Sequence, residues 1–260
     1  MFIAGRSEEV LKGIDTKVQL AYLDPPFFTG TIRKLSDDAQ YSDKWSSKDE
    51  YLSFLKSILL EIHRVLLPSG VIFLHCDYRM TAHLRILLES IFGEENFINE
   101  IIWSYKTGGT SKLGFARKHD TIHLFAKDKK VTKWNQLKEK SYLSHKYGFS
   151  NIEIKKDDKG YYREALMRDV WEIPSLRGNQ DERVHYPTQK PQALLERIIL
   201  SGSDPRDIVL DPFSGSGTTA VVAEQLGRGW IAIDESPEAE KVLKLRLRGP
   251  LFLENTSSGN

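Results

Sequence analysis

Apolar positions along the chain follow two rhythms: short continuous runs, and longer stretches at helical spacing. The runs 20–23, 71–74, 97–103, 121–126, 208–210 and 230–233 read as buried strands. Tyr51, Leu52, Leu55, Ile58, Leu59, Ile62 and Leu66 share one face of a helix that starts near Ser47 or Asp49 and is ended by Pro68 and Gly70. Further helices are predicted over 78–92, 192–201 with Pro191 in the first turn, 218–226 and 237–247. The opening, 1–11, reads as a short strand, a turn at Gly5 and a helix. Strands alternating with helices specify an α/β fold around a mostly parallel, twisted sheet. Two stretches break the rhythm. Residues 28–45 are polar and aperiodic, either a loop that closes over a ligand or a plain surface connection. Residues 127–186 contain no readable long helix.

Composition changes this picture in two places. At 260 residues, 40% apolar and 28% charged, the chain is an ordinary globular one with room for a sizeable core and a modest insertion. No apolar run approaches the roughly 18 residues of a spanning helix, the N-terminus lacks a signal-peptide pattern, and one cysteine excludes a disulfide framework. A cytoplasmic protein is expected. The net charge of +1 conceals an asymmetry: residues 104–168 hold 16 Lys and Arg against 7 Asp and Glu, the remainder 21 against 29. Within the basic stretch and just beyond it, lysines alternate with Trp134, Tyr142, Tyr147, Phe149, Tyr161 and Tyr162. Positive charge interleaved with rings is suited to nucleic acid.

Three strand ends carry the candidate chemistry. After the run 208–210 come Asp211, a turn containing Gly215 and Gly217, and a helix from Thr218, an arrangement that lets backbone approach a nucleotide-like ligand closely. Asp234 follows Gly217 by 17 residues, near the roughly 20-residue offset at which an acid meets a ribose in dinucleotide folds. The third glycine of GxGxxG is missing, which favours a nucleoside site without phosphates, and S-adenosylmethionine is the leading candidate. Much earlier, Asp24-Pro25-Pro26-Phe27 follows the run 20–23. Two prolines after an acid cannot continue a strand, so they fix a stiff corner presenting a carboxylate and a ring. His75-Cys76-Asp77 ends the run 71–74 at the sheet edge where ligands gather. Two ligating side chains do not fill a coordination shell, so no metal is expected. Cys76 reads as a packed core residue, and Asp77 either lines a pocket or caps the next helix.

The two principal motifs together resemble the amino-methyltransferases of DNA, which transfer a methyl group from S-adenosyl-L-methionine to an exocyclic amine. Asp24 precedes Asp211 by 187 residues, a circularly permuted order similar to the beta class, in which the target-recognition region lies between the two. The resemblance extends to Tyr41-Ser42-Asp43-Lys44-Trp45, His75-Cys76-Asp77, the run 92–103 and Tyr186-Pro187-Thr188-Gln189-Lys190-Pro191. It implies a Rossmann-like methyltransferase fold whose sheet has one reversed strand, supplied by the hairpin of 97–103 and 121–126. It divides the chain into a catalytic half (1–126), a small basic target-recognition insertion (127–186) and a cofactor-binding half (187–260). It implies Asp24, Pro25, Pro26 and Phe27 as catalytic residues. Asp211, Phe213, Ser214, Gly215, Ser216, Gly217, Thr218, Thr219, Asp234, Glu235 and Lys190 become the cofactor residues. Lys190 is read as partner of the cofactor's carboxylate, with a surface lysine at a helix start as the alternative. Where the family carries Gly-Asp in its first turn this chain has Gly5-Arg6; Arg6 has no acceptor, so that contact to the adenine amine is lost or made elsewhere. The implied substrate is double-stranded DNA with the target base flipped onto Phe27. The Asp before the prolines favours adenine N6. Cytosine N4 and a non-catalytic DNA-binding relative stand as alternatives, and a homodimer and a cognate restriction endonuclease as further partners. The recognition sequence is not legible.

Overall fold

The computed structural model describes residues 1–34, 40–105, 109–144, 152–176, 180–184, 186 and 188–248, with backbone alone for 32–34 and 40–42. Tyr147, Phe149, Pro187 and the tail from 249 lie outside the described residues, as do the side chains of Tyr41 and Ser42. In chain order the elements are β1 (Phe2–Ala4), α1 (Ser7–Val10), β2 (Val18–Leu23), β3 (Ile32–Lys34), β4 (Gln40–Ser42), α2 (Lys48–Val65), β5 (Leu66–Cys76), α3 (Thr81–Phe92), β6 (Phe97–Ser104) and β7 (His119–Ala126). There follow β8 (Lys138–Leu143), β9 (Lys155–Asp157), β10 (Gly160–Leu166), β11 (Val170–Glu172), α4 (Gln192–Gly202), β12 (Ile208–Asp211), α5 (Thr218–Gln225), β13 (Gly229–Asp234) and α6 (Pro237–Arg248).

Eight strands form one sheet in the order β1-β13-β12-β2-β5-β7-β6-β11. Every neighbouring pair is parallel except those made by β7, which runs against both β5 and β6. This is the single reversed strand the resemblance implied. Strand alternation divides the sheet's core between its two faces. Ile72 and Leu74 of β5 pack with Leu55, Ile58, Leu59 and Ile62 of α2 and with Leu84 and Leu88 of α3. Val71 and Phe73 pack instead with Leu194, Leu195, Ile198 and Ile199 of α4. Helices thus cover both faces, and the mostly apolar runs of β2 and β5 follow from burial on both sides. No helix among the described residues is long and apolar enough to cross a membrane.

Local chemistry sets the helix ends. The Ser47 side chain accepts from Glu50 N at 3.1 Å, while Glu50 Oε2 accepts from Ser46 N at 2.7 Å and Ser46 Oγ at 2.6 Å, so α2 starts at a reciprocal cap. Pro191 stands at the N-cap of α4. Helix α2 stops at Val65, three residues before Pro68, because Leu66 is already extended and begins β5.

Three features differ from the sequence expectation. Within 28–45, β3 and β4 pair antiparallel as a small hairpin. Within 127–186, β8, β10 and β9 form a three-stranded antiparallel sheet, its outward residues polar enough to mask any apolar rhythm. The short β11 leaves that stretch altogether and adds to the edge of the main sheet beside β6, burying Trp171. Asn135 binds the same stretch to the body: its Nδ2 donates to Leu200 O, Ser203 O and Asp204 Oδ1 at 3.0, 3.0 and 2.9 Å.

The tightest helix-to-sheet contact is at Gly202, the last residue of α4. A Cβ there would lie 2.7 Å from Val71 Cγ2 and 2.9 Å from Leu20 Cδ1. Gly202→Ala is expected to lower stability by about 1–3 kcal/mol through overpacking, read as a shift of the urea midpoint at constant slope. An unchanged midpoint would show that α4 is free to lift from β2 and β5.

Candidate active site

Parallel pairing of β12 with β2 matches Val209 to Leu20 and Leu210 to Ala21. The two strands therefore end side by side, and Asp24 and Asp211 emerge at the same sheet edge despite their separation in sequence. β5, parallel to β2, delivers His75 and Asp77 to that edge, and the reversed β7 starts there with His119 and Asp120. The edge opens into a cavity of about 1080 Å³. Its wall includes Asp24, Pro25, Pro26, Phe27, Asp211, Phe213, Ser214, Gly215, Ser216, Thr218, Thr219, Asp234, Glu235 and Lys190. Of the catalytic and cofactor residues expected from sequence, Gly217 alone stands off this wall. A Cβ on Gly217 would meet Leu243 Cδ1 at 2.5 Å, so its position against α6, with φ +74°, is what requires glycine.

The proline corner is held in place by residues to which the sequence assigned no such role. Pro26 O accepts from the Tyr51 hydroxyl of α2 at 2.7 Å. Directly after Phe27, Phe28 takes a left-handed φ of +57°. That turn is fixed by the buried Asp43, whose Oδ1 accepts from Phe28 N at 2.9 Å and whose Oδ2 accepts from Thr29 N at 2.9 Å and Thr29 Oγ1 at 2.5 Å. The Phe27 ring lies tilted against the fully buried His75, ring centroids 5.4 Å apart. His75 Nδ1 is 2.9 Å from the Tyr22 hydroxyl and 3.7 Å from Asp24 Oδ1; Nε2 is 3.3 Å from Asp120 Oδ2. Tyr105 donates to the other Asp120 oxygen at 3.0 Å. Burial pushes Asp120 upward, but the bond and charge of His75, with Lys190, outweigh it and hold its carboxyl below the usual range. The deeper Tyr22 hydroxyl is pushed well above its ordinary value, by burial first and then by the nearby carboxylates. Lys190 does not stand free at its helix start: its ammonium is bonded to Asp24 Oδ2 and lies 5.4 Å from the Phe27 ring centroid. Cys76 is fully buried, its thiol pushed far up by desolvation, which makes it inert as a nucleophile.

On the opposite wall the glycine turn is tied by its own acids. Asp211 accepts from Phe213 N at 2.9 Å and from Thr219 Oγ1 at 2.5 Å, and Asp234 accepts from Gly215 N at 2.8 Å and Ser236 N at 2.9 Å. Both carboxylates thus shape the turn, whereas Glu235 is exposed on the wall. Arg246 of α6 reaches under the turn, donating to Ser216 O at 2.9 Å and Thr218 Oγ1 at 2.8 Å; burial lowers this guanidinium to about 10. Arg6 lies on the cavity wall with its guanidinium on Glu8 Oε1 at 2.5 Å, and Glu8, also on the wall, brings the acceptor that Arg6 lacks. Asp77 lines the cavity too; its Oδ1 accepts from Arg79 N at 2.9 Å, one residue ahead of the Met80 cap of α3.

Burial, opposed by the Thr219 and Phe213 bonds, raises Asp211 from 3.8 to about 7. A carboxyl raised on folding favours the fold when protonated, so its contribution is complete below its unfolded value and is lost as pH climbs to about 7. Asp211→Asn is therefore expected to flatten the pH dependence of unfolding free energy between roughly pH 4 and 7, measured by urea titration. A variant with the parent slope would remove Asp211 from that role.

The DNA methylase family model matches residues 18–245. The chain is 32% identical over 251 residues to the type II methyltransferase M.HpaI of Haemophilus parainfluenzae, covering 94% of this chain and 73% of that protein. It is 31% identical over 239 residues to the DNA adenine methyltransferase YhdJ of Escherichia coli K12, covering 88% and 76%. Among solved structures, the M1.HpyAVI–SAM complex superposes with a TM-score of 0.65 at 24% identity, over 96% of this chain and 99% of that one. The cytosine-N4-specific PvuII DNA methyltransferase superposes with the same TM-score at 20% identity, over 96% and 86%. With the match running from the first central strand into the last helix, the chain belongs to the DNA methylase family.

Proposed function

We propose that this chain transfers the methyl group of S-adenosylmethionine to the N6 amine of an adenine flipped out of duplex DNA. The observation that carries this reading is a buried oxygen. Asp24, Ser214 and Ser236 all line the cavity, and the buried Asp24 Oδ1, Ser214 Oγ and Ser236 Oγ have no hydrogen-bond partner among the described residues. One unmatched carboxylate oxygen beside two unmatched hydroxyls fits an amine and a nucleoside brought together in one space. The surrounding acids, Asp24, Asp211, Asp234 and Glu235, suit a cationic ligand.

When bound, S-adenosylmethionine supplies an electrophilic methyl on a sulfonium centre. The chain's own residues prepare the acceptor. An exocyclic amine is a weak nucleophile because its lone pair is delocalised into the ring. Asp24 Oδ1 accepts one N–H of that amine, and the Pro25 carbonyl the other, which localises the lone pair. Lys190 on Oδ2 holds the carboxylate in place at the cavity wall. Asp24 also stabilises the positive charge that develops on the amine and receives the proton it sheds. Phe27, supported by His75, offers a stacking face worth about 1–3 kcal/mol to an extruded base.

Adenine is favoured by the acid ahead of the prolines and by relatives such as YhdJ, named as a DNA adenine methyltransferase. The reading keeps 127–186 as the segment that selects the DNA sequence, with a cognate endonuclease and a second copy as partners outside the chemical step.

Incubation of the purified chain with labelled S-adenosylmethionine and DNA of varied sequence is expected to give N6-methyladenine on nucleoside analysis. Label found only as N4-methylcytosine, or no label at all, overturns the assignment. Asp24→Ala is expected to lower kcat/KM by about 100-fold or more while leaving calorimetric affinity for S-adenosylmethionine within about threefold; an active variant removes Asp24 from its place.

A further inference from the structure

The two most exposed apolar side chains among the described residues are neighbours on one loop. Leu113 is 93% exposed and Phe115 fully exposed. They lie between β6 and β7, whose adjoining ends reach the cavity edge, and the residues flanking the loop at its two roots, Tyr105 and Asp120, line the cavity itself. Tyr105 N donates to Lys118 O at 3.0 Å, closing the loop's base. Arg117, two residues after Phe115, places its guanidinium 4.0 Å from the Tyr78 ring centroid and donates to the Tyr78 hydroxyl at 3.2 Å. Arg79, whose guanidinium lies 4.9 Å from the same ring, is on the cavity wall. Phe115 is therefore carried on a loop rooted at the cavity's rim. From 104 to 119 the sequence has Lys106, Lys112, Arg117 and Lys118 and no acid.

An uncovered phenyl ring costs solvation free energy in water, and a connecting segment that carries four cations and no acid repels another basic protein surface. Both features match one partner, a polyanion with apolar planes inside it. We propose that this loop is the wedge of the enzyme: Phe115, backed by Leu113, enters the base stack of duplex DNA at the position the target base leaves, while Lys112 and Arg117 meet the flanking phosphates. Apolar side chains inserted between base steps are an established way of offsetting unstacking, and extrusion of a paired base costs a few kcal/mol that some group has to recover. The inference rests on the base-flipping reading above and assigns to it a group outside the cavity.

The test uses the full chain and a duplex carrying the sequence that it methylates, with 2-aminopurine at the target position to report extrusion by fluorescence. Phe115→Ala is expected to suppress the fluorescence rise and lower kcat/KM on the paired duplex by about 10- to 100-fold. On a duplex with an abasic nucleotide opposite the target, where no pairing holds the base in, the same variant is expected to work within about threefold of the parent. Phe115→Leu, still an apolar wedge, is expected to retain most of the activity on the paired duplex. Equal losses on both duplexes would make Phe115 a general DNA contact and overturn the proposal, as would an unchanged fluorescence rise. A parent chain that methylates no duplex at all sinks the catalytic reading first, and the wedge with it.

Discussion

Everything at the functional edge depends on the parallel ladder between β2 and β12. Only there do residues near 20 lie beside residues near 210, and from that adjacency the proline corner and the glycine turn acquire a common cavity. Neither motif has a partner of its own kind nearby in sequence. The ladder is buried on both faces, with Leu20, Ala21, Val209 and Leu210 fully inaccessible, so it is fixed by the same apolar burial that builds the core. Positioning of the chemistry is thus inherited from the sheet.

The charges are sorted by depth. Carboxylates collect at the strand ends inside the cavity, where several are held in place by backbone N–H groups: Phe213 N on Asp211, Gly215 N and Ser236 N on Asp234, Arg79 N on Asp77. Their burial raises Asp77, Asp211 and Asp234. Arg6, Arg79 and Lys190 share the cavity wall, but other cations stand outside it, on the sheet of β8, β9 and β10, where Lys140 pairs with Asp157 and Lys155 with Glu164 on the surface. The net charge near zero is the sum of these two populations and describes neither.

What the sequence disclosed, and what it withheld, follows the range of the interactions. Strands buried on both faces announce themselves as apolar runs, and a corner such as Asp24-Pro25-Pro26 is legible because proline's restrictions are local. The same holds for Ser47 at the start of α2. By contrast, the Tyr22–His75–Asp120–Tyr105 chain joins β2, β5 and β7 to the residue just after β6, and no spacing along the polypeptide encodes it; the registers of β2 against β5 and of β5 against β7 do. The role of Asp43, which the resemblance had named without one, and that of Arg246 were hidden for the same reason, since each acts on backbone of another segment. Gly217 shows the opposite error. Its place in a glycine-rich motif drew attention to the ligand, while the atom it yields to is Leu243 in the last helix. Strand β11 escaped because three residues are too few to carry a rhythm, and what selects them is a vacant place beside β6.

The position of β12 in the sheet has a consequence for biosynthesis. β2 sits in the middle of the sheet, between β5, which is made soon after it, and β12, which is translated nearly two hundred residues later. Until the ribosome has delivered that late strand, one flank of β2 lacks its partner, and the nascent chain carries an open ladder of unpaired amides and carbonyls. The polypeptide therefore gains this edge only once β12 has been made, and release from the ribosome before that point yields a chain that has the proline corner but not the glycine turn that shares its cavity.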